Sequence, residues 1–166
     1  RQPRVGEQDG VHYHFLTREE VLARRDTGYF AEWAEVHGIL YGTPKAPVQA
    51  HLAQGRDVLF DIDVQGALQV KSVFPDGLFV FILPPSRDEL ERRLRGRGTD
   101  AADVIARRLD NALGEMRQAG HFDFLIVNDE LDAAAAELRA VYMAGRARRL
   151  NRPGLLDGLL AQWGGA

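Results

Sequence analysis

From Ala46 onward the apolar residues fall in short, nearly continuous runs set among stretches of helical period. Asp57 to Ile62, Leu78 to Leu83 and Phe124 to Val127 are such runs. Runs of that length without alternation predict strands buried on both faces. Before, between and after them the spacing predicts helices over Ala46 to Gln54, Gln65 to Val73, Ser86 to Leu94, Asp103 to Ala119 and Leu131 to Met143. Gly55 stops the first, and Ser86 with Glu89 forms a capping box at the third. The order β-α-β-α-α-β-α predicts an α/β fold with a doubly wound parallel sheet. The first 45 residues read differently. Val11 to Leu16 alternates as a strand, with Val11, Tyr13 and Phe15 on one face. Thr17 and Glu20 cap a helix running to about Asp26, which Gly28 closes. Tyr29 to Val36 and Leu40 to Pro44 then predict two extended segments around a turn at Gly38, which makes a small mixed unit. After a basic stretch from Arg146 to Arg152 and a break at Pro153-Gly154, Leu155 to Trp163 predicts one short amphipathic helix.

Composition narrows the classes. The 166 residues suffice for one domain with a full core. A net charge of −3 argues against a general affinity for nucleic acid. The absence of cysteine removes disulfides and thiolate metal sites, and no apolar run approaches the ~20 residues of a membrane span. Lysine occurs only at Lys45 and Lys71, so the other basic side chains are arginine, the better planar fork for phosphate oxygens. A compositional bias toward Arg, Ala, Leu and Gly would give the same picture.

Several groups carry chemistry. Glu32 and Asp63 could face the N1–H and exocyclic N2 amino donors of guanine, with the Thr43 hydroxyl donating to O6. Adenine lacks the N1 hydrogen and would leave a carboxylate unpaired, a mismatch on the order of 10⁴-fold. Read singly, both residues are ordinary surface or paired carboxylates. Arg1, Arg4 and Tyr13 could hold a phosphate monoester through charge-assisted bonds. Arg97, between Gly96 and Gly98 and between two helices, suits a closing segment that brings positive charge to a phosphoryl group. Arg92 and Arg95 read as a charged helix face. Asp61, at the end of a buried run, either reaches magnesium through water or caps the next turn. The five histidines make no metal-ligand pattern.

These residues resemble guanylate kinase. The likeness runs from Arg1 to about Arg149. It is carried by Arg1-Gln2-Pro3-Arg4, Asp9-Gly10-Val11-His12-Tyr13, Glu32-Trp33-Ala34-Glu35, Tyr41-Gly42-Thr43, Asp61-Ile62-Asp63-Val64-Gln65-Gly66, Gly96-Arg97-Gly98-Thr99 and Val127-Asn128-Asp129. The resemblance implies a cytoplasmic transferase that moves the γ-phosphoryl group of ATP to GMP, with Mg2+ accompanying ATP and no nucleic-acid or membrane partner. It implies a doubly wound parallel sheet of P-loop kinase type, a small GMP-binding insertion and a lid. The expected parts are residues 1–45 for GMP, 46–91 and 109–149 for the core, 92–108 for the lid and 150–166 as a tail. Arg1, Arg4, Tyr13 and Tyr41 are implied on the GMP phosphate. Glu32, Thr43 and Asp63 are implied at the guanine, and Gly42 among the substrate-binding residues. Arg93, Arg97 and Arg108 are implied on the transferring phosphates, Asn128 near the adenine and Asp61 near magnesium.

One departure stands out. No Gly-x-x-x-x-Gly-Lys-Ser/Thr loop occurs in the sequence, and the family's first strand and first helix are missing with it. The chain is therefore expected to belong to a longer protein. Alone, it is expected to bind GMP weakly and to turn over far below the ~1–100 s⁻¹ of kinases. The alternative is a guanylate-kinase-like scaffold module whose old GMP pocket holds a phosphopeptide. The missing loop favours that alternative, and the guanine-facing carboxylates and Arg97 disfavour it.

Overall fold

A computed structural model describes residues 6–36, 38–96 and 101–164. The chain forms two compact units, residues 1–77 and 78–166.

The first unit begins with α1 (Arg18–Asp26). Its capping box is complete: the Thr17 hydroxyl accepts from the Glu20 N–H at 3.2 Å, and the Glu20 carboxylate accepts from the Thr17 N–H at 2.7 Å. Those bonds hold the Glu20 carboxyl below its usual range. Acids in the first turn and arginines in the last complement the helix dipole. Strands β1 (Phe30–Val36) and β2 (Ile39–Pro44) pair antiparallel, with Glu32 opposite Thr43, Trp33 opposite Gly42 and Ala34 opposite Tyr41. Helix α2 (Lys45–Ala53) follows directly, and α3 (Val64–Val73) packs on β1. Ala31, Val48, Ala67 and Val70 are buried in this unit.

In the second unit β3 (Val80–Leu83) and β4 (Phe124–Val127) pair parallel, with Val80 opposite Phe124 and Leu83 opposite Val127. Helices α4 (Arg87–Gly96) and α5 (Ala102–Met116) lie between them in the chain, which is the crossover a parallel pair requires. Phe79 and Asp123 lock the start of the pair. The Phe79 N–H donates to the Asp123 carboxylate at 2.9 Å, and its carbonyl accepts from the Asp123 and Phe124 N–H groups. Phe81 meets Phe122 edge to face at 4.9 Å. Leu94, Ile105 and Leu109 join α4 to α5. Helix α6 (Leu131–Ala147) brings Gly145 against Leu78, where a Cβ would collide. Helix α7 is Leu155–Gln162.

The hairpin, the helix starts and the parallel α/β pairing follow the sequence pattern, but two expected strands do not form. Val11 to Leu16 turns tightly instead. The Val11 and His12 N–H groups both donate to the Gln8 carbonyl, Gly10 N–H donates to the Tyr13 carbonyl, and the Asp9 carboxylate accepts from Phe15 N–H. A side chain has taken the ladder bond that a neighbouring strand would have made. Only an isolated bridge joins Asp9 to Tyr13. Asp57 to Ile62 is not assigned as a strand, and Leu59 is 87% exposed. An apolar run becomes a strand only where another backbone accepts it. The sheets among the described residues are accordingly two-stranded. Helix α5 stops at Met116, short of Ala119, and α6 runs on to Ala147 rather than ending at Met143. No helix among the described residues is long and apolar enough to cross a membrane.

Candidate functional site

In the first unit the antiparallel register sets Glu32 on β1 directly opposite Thr43 on β2. Cross-strand partners lie close enough for side chains to bond, and the Thr43 hydroxyl donates to Glu32 Oε1 at 2.6 Å. Glu32 is 8% exposed, the buried charged residue among those described. Asp63 comes to the same place from the other side. It is the N-cap of α3, with Oδ1 accepting from the Gly66 N–H at 2.8 Å. A Cβ built on Gly66 would lie 3.3 Å from Glu32 Oε2 and 3.4 Å from Asp63 Oδ1. The two carboxylates therefore flank one glycine. Each has one oxygen held by a protein donor and a second oxygen left to accept. Gly66→Ala is expected to press on both and weaken binding of a ligand at this pair about tenfold, with little change in stability. Isothermal calorimetry checks this, and unchanged affinity would contradict it.

The aromatic residues expected at the phosphate are also brought together. The rings of Tyr13 and Tyr41 meet edge to face at 6.4 Å, and Phe15 backs Tyr13 at 5.9 Å. Gly42, next to Tyr41, sits beneath the Phe30 ring, where a Cβ would be 2.8 Å from Phe30 Cδ1. Arg1 and Arg4 lie outside the described residues. Asp61 is exposed two residues before Asp63. No bond to a described residue occupies its carboxylate, and the described residues hold no cluster of three metal-ligating side chains. One carboxylate of this kind can serve magnesium only beside substrate phosphates and waters that supply its other ligands.

In the second unit a cleft of about 230 Å³ is lined by Ile82, Leu83, Pro84, Leu90 and Leu94, with Arg93 and Asn128 as its polar edge. Asn128 is fixed there by its N–H donating to the Leu83 carbonyl at 2.7 Å. Arg93 crosses from α4 to the end of β4. Its Nη1 donates to the Asn128 carbonyl at 2.6 Å, Nη2 to the Asp129 carbonyl at 3.1 Å and Nε to Glu89 Oε1 at 2.6 Å. Arg92 also grips Glu89, and Arg95 pairs with Glu91, so those two arginines form the charged helix face that the sequence suggests. Arg108 is half-buried on α5, and Arg97 lies outside the described residues.

Hydrogen bonds from Arg92 and Arg93 draw the Glu89 carboxyl from an ordinary 4.5 down to about 2. Because the folded value is the lower one, this grip on Arg93 is complete above about pH 4.5 and is lost as pH falls through about 2. A carbon-detected carboxyl titration should give a Glu89 midpoint near 2, returning toward 4.5 when Arg92 and Arg93 are both replaced by alanine. A midpoint above 4 in the parent would contradict the pairing.

Sequence reasoning missed three participants. Gln69 on α3 bonds the backbone of Trp33, and the Asn128 and Asp129 carbonyls hold Arg93. Backbone acceptors leave no trace in residue identity. Gln69 is one polar residue on a helix, and only its place three residues after Gly66 could have drawn notice.

The guanylate kinase family model matches residues 1–144. A guanylate kinase of Nitratidesulfovibrio vulgaris is 57% identical over 163 residues, which is 98% of this chain and 79% of the relative. One from Lawsonia intracellularis is 50% identical over the same share of this chain and 77% of its own length. The crystal structure of guanylate kinase from Anaplasma phagocytophilum matches with a TM-score of 0.76 at 30% identity, over 98% of this chain and 80% of that one.

Proposed function

This chain belongs to the guanylate kinase family, and from that premise we propose how its own residues serve transfer of the ATP γ-phosphoryl group to GMP, giving GDP and ADP. The observation that carries the reading is the buried Glu32, oriented by Thr43 and facing Asp63 across Gly66. A carboxylate removed from water needs more donors than one hydroxyl. The N1–H and N2 amino group of guanine supply them to the remaining oxygens of Glu32 and Asp63. Adenine supplies no N1–H. The Thr43 hydroxyl, already donating to Glu32 Oε1, orients the base-reading carboxylate; donation to O6 would replace that bond.

Tyr13 and Tyr41, with Arg1 and Arg4, hold the GMP phosphate. The acceptor oxygen is already anionic at neutral pH, so no strong general base is needed, and positioning with charge neutralisation supplies the rate. Arg97 and Arg108 neutralise the phosphoryl group in transfer. Arg93 fixes the Asn128 loop at the apolar cleft, where a flat adenine ring fits between aliphatic walls and the Asn128 amide. Magnesium, held through water by Asp61, would neutralise charge on the donor phosphates. The reading places the reaction in the cytoplasm.

A phosphopeptide-binding scaffold has no use for a guanine-reading pair with one carboxylate, Glu32, buried, so the family's transferase reading is favoured. Calorimetry with GMP, AMP and a phosphoserine peptide separates the two. GMP is expected to bind at least 100-fold more tightly than AMP, and the peptide not to compete. A peptide that displaces GMP, or equal affinities for GMP and AMP, would overturn the assignment.

A further inference from the structure

We infer that Gln69 is a positioning residue for base recognition, setting helix α3, and with it Asp63, in register against Glu32. The inference rests on the guanine-reading role proposed for that pair. Gln69 Oε1 accepts from the Trp33 N–H at 3.1 Å, and its Nε2 donates to the Trp33 carbonyl at 2.9 Å. Both backbone groups of Trp33 thus turn away from β2 and bond one side-chain amide. Gln69 stands where a third strand would pair, as a single residue closing the edge of β1. Trp33 is the residue next to Glu32.

The same face of α3 makes the second contact. Gly66 and Gln69 are three residues apart and share that face. Gly66 lets the helix approach until a Cβ there would lie 3.3 Å from Glu32 Oε2, and Gln69 fixes where along the strand the helix sits. Gly66 by itself would permit sliding, because it has no side chain to engage. A slip of one residue would move Asp63 about 3.3 Å along β1, more than a shared base can bridge with two hydrogen bonds. Only an amide of this length can both donate and accept here. Glutamate lacks the donor, methionine lacks both, and asparagine is one methylene shorter.

The test uses the whole chain and two nucleotides, GMP and IMP, the latter lacking the 2-amino group. Gln69→Met is expected to weaken GMP on the order of 10- to 100-fold and to shrink the GMP-to-IMP affinity ratio toward one. A merely structural role would weaken both nucleotides alike and leave the ratio unchanged. Added to Asp63→Ala, Gln69→Met should cost little further GMP affinity, because both act through one contact. Gln69→Glu, isosteric and still able to accept from Trp33 N–H, guards against loss of fold and should shrink the ratio in the same way. An unchanged ratio in the folded variants, or full additivity with Asp63→Ala, overturns the inference while leaving the base-reading pair intact. If Glu32→Ala and Asp63→Ala themselves leave GMP binding unchanged, the pair falls and the role of Gln69 falls with it.

Discussion

Glu32→Ala should lower GMP affinity on the order of 10³-fold while leaving the thermal midpoint level or slightly higher. The opposite directions come from one fact, that Glu32 is a buried carboxylate with a single described donor, Thr43. Removing an incompletely satisfied buried charge relieves its desolvation cost, so stability need not fall. Removing the acceptor strands the guanine donors, and hydrogen bonds to a charged group are worth about 1.5–3 kcal/mol each. Glu32→Gln sharpens the result, because it keeps the volume but turns an N–H toward the base wherever Thr43 keeps the carbonyl. Its GMP affinity should fall nearly as far. Loss of affinity that only tracks a falling midpoint would mean that Glu32 holds the hairpin and does not read the base.

The second large effect concerns stability alone. Ile126→Ala should cost about 2–5 kcal/mol, a substantial part of the 5–15 kcal/mol that holds a typical domain. Ile126 is 2% exposed and is the one buried residue of β4, opposite Ile82 on β3. Its neighbours Leu125 and Val127 are half-exposed, so the burial of the strand is concentrated in one side chain. Urea unfolding should show a large drop in midpoint for Ile126→Ala and a change of less than about 1 kcal/mol for Leu125→Ala. Similar losses for both would place the core of this unit elsewhere.

The likeness to guanylate kinase was legible because its motifs are strings of identities, and the comparisons bear it out. Helix starts were legible for a local reason: Thr17 with Glu20, and Ser86 with Glu89, cap with side chains a few residues away. Strands were less so. Phe124 to Val127 and Asp57 to Ile62 look alike in composition, yet of the two only the first pairs with another strand among the described residues, and pairing is not a local property. At the site, the sequence supplied Glu32, Thr43 and Asp63 but not the reason they meet. That reason is the hairpin register, the N-cap at Asp63 and the absence of a Cβ at Gly66. Arg93 was expected on phosphates, and its bonds to backbone carbonyls were beyond reach of any reading of residue types. Arg1, Arg4 and Arg97 lie outside the described residues.

In the proposed recognition, two acidic side chains read the hydrogens of a guanine ring. Nuclear magnetic resonance of ¹⁵N-labelled GMP on the protein observes those hydrogens themselves. The N1 imino and N2 amino protons should become protected from exchange and move downfield on binding, and both changes should vanish with Glu32→Ala. If the phosphorus signal shifts on binding while the imino and amino protons keep their free-nucleotide behaviour, the protein holds only the phosphate and Glu32 and Asp63 do not read the base.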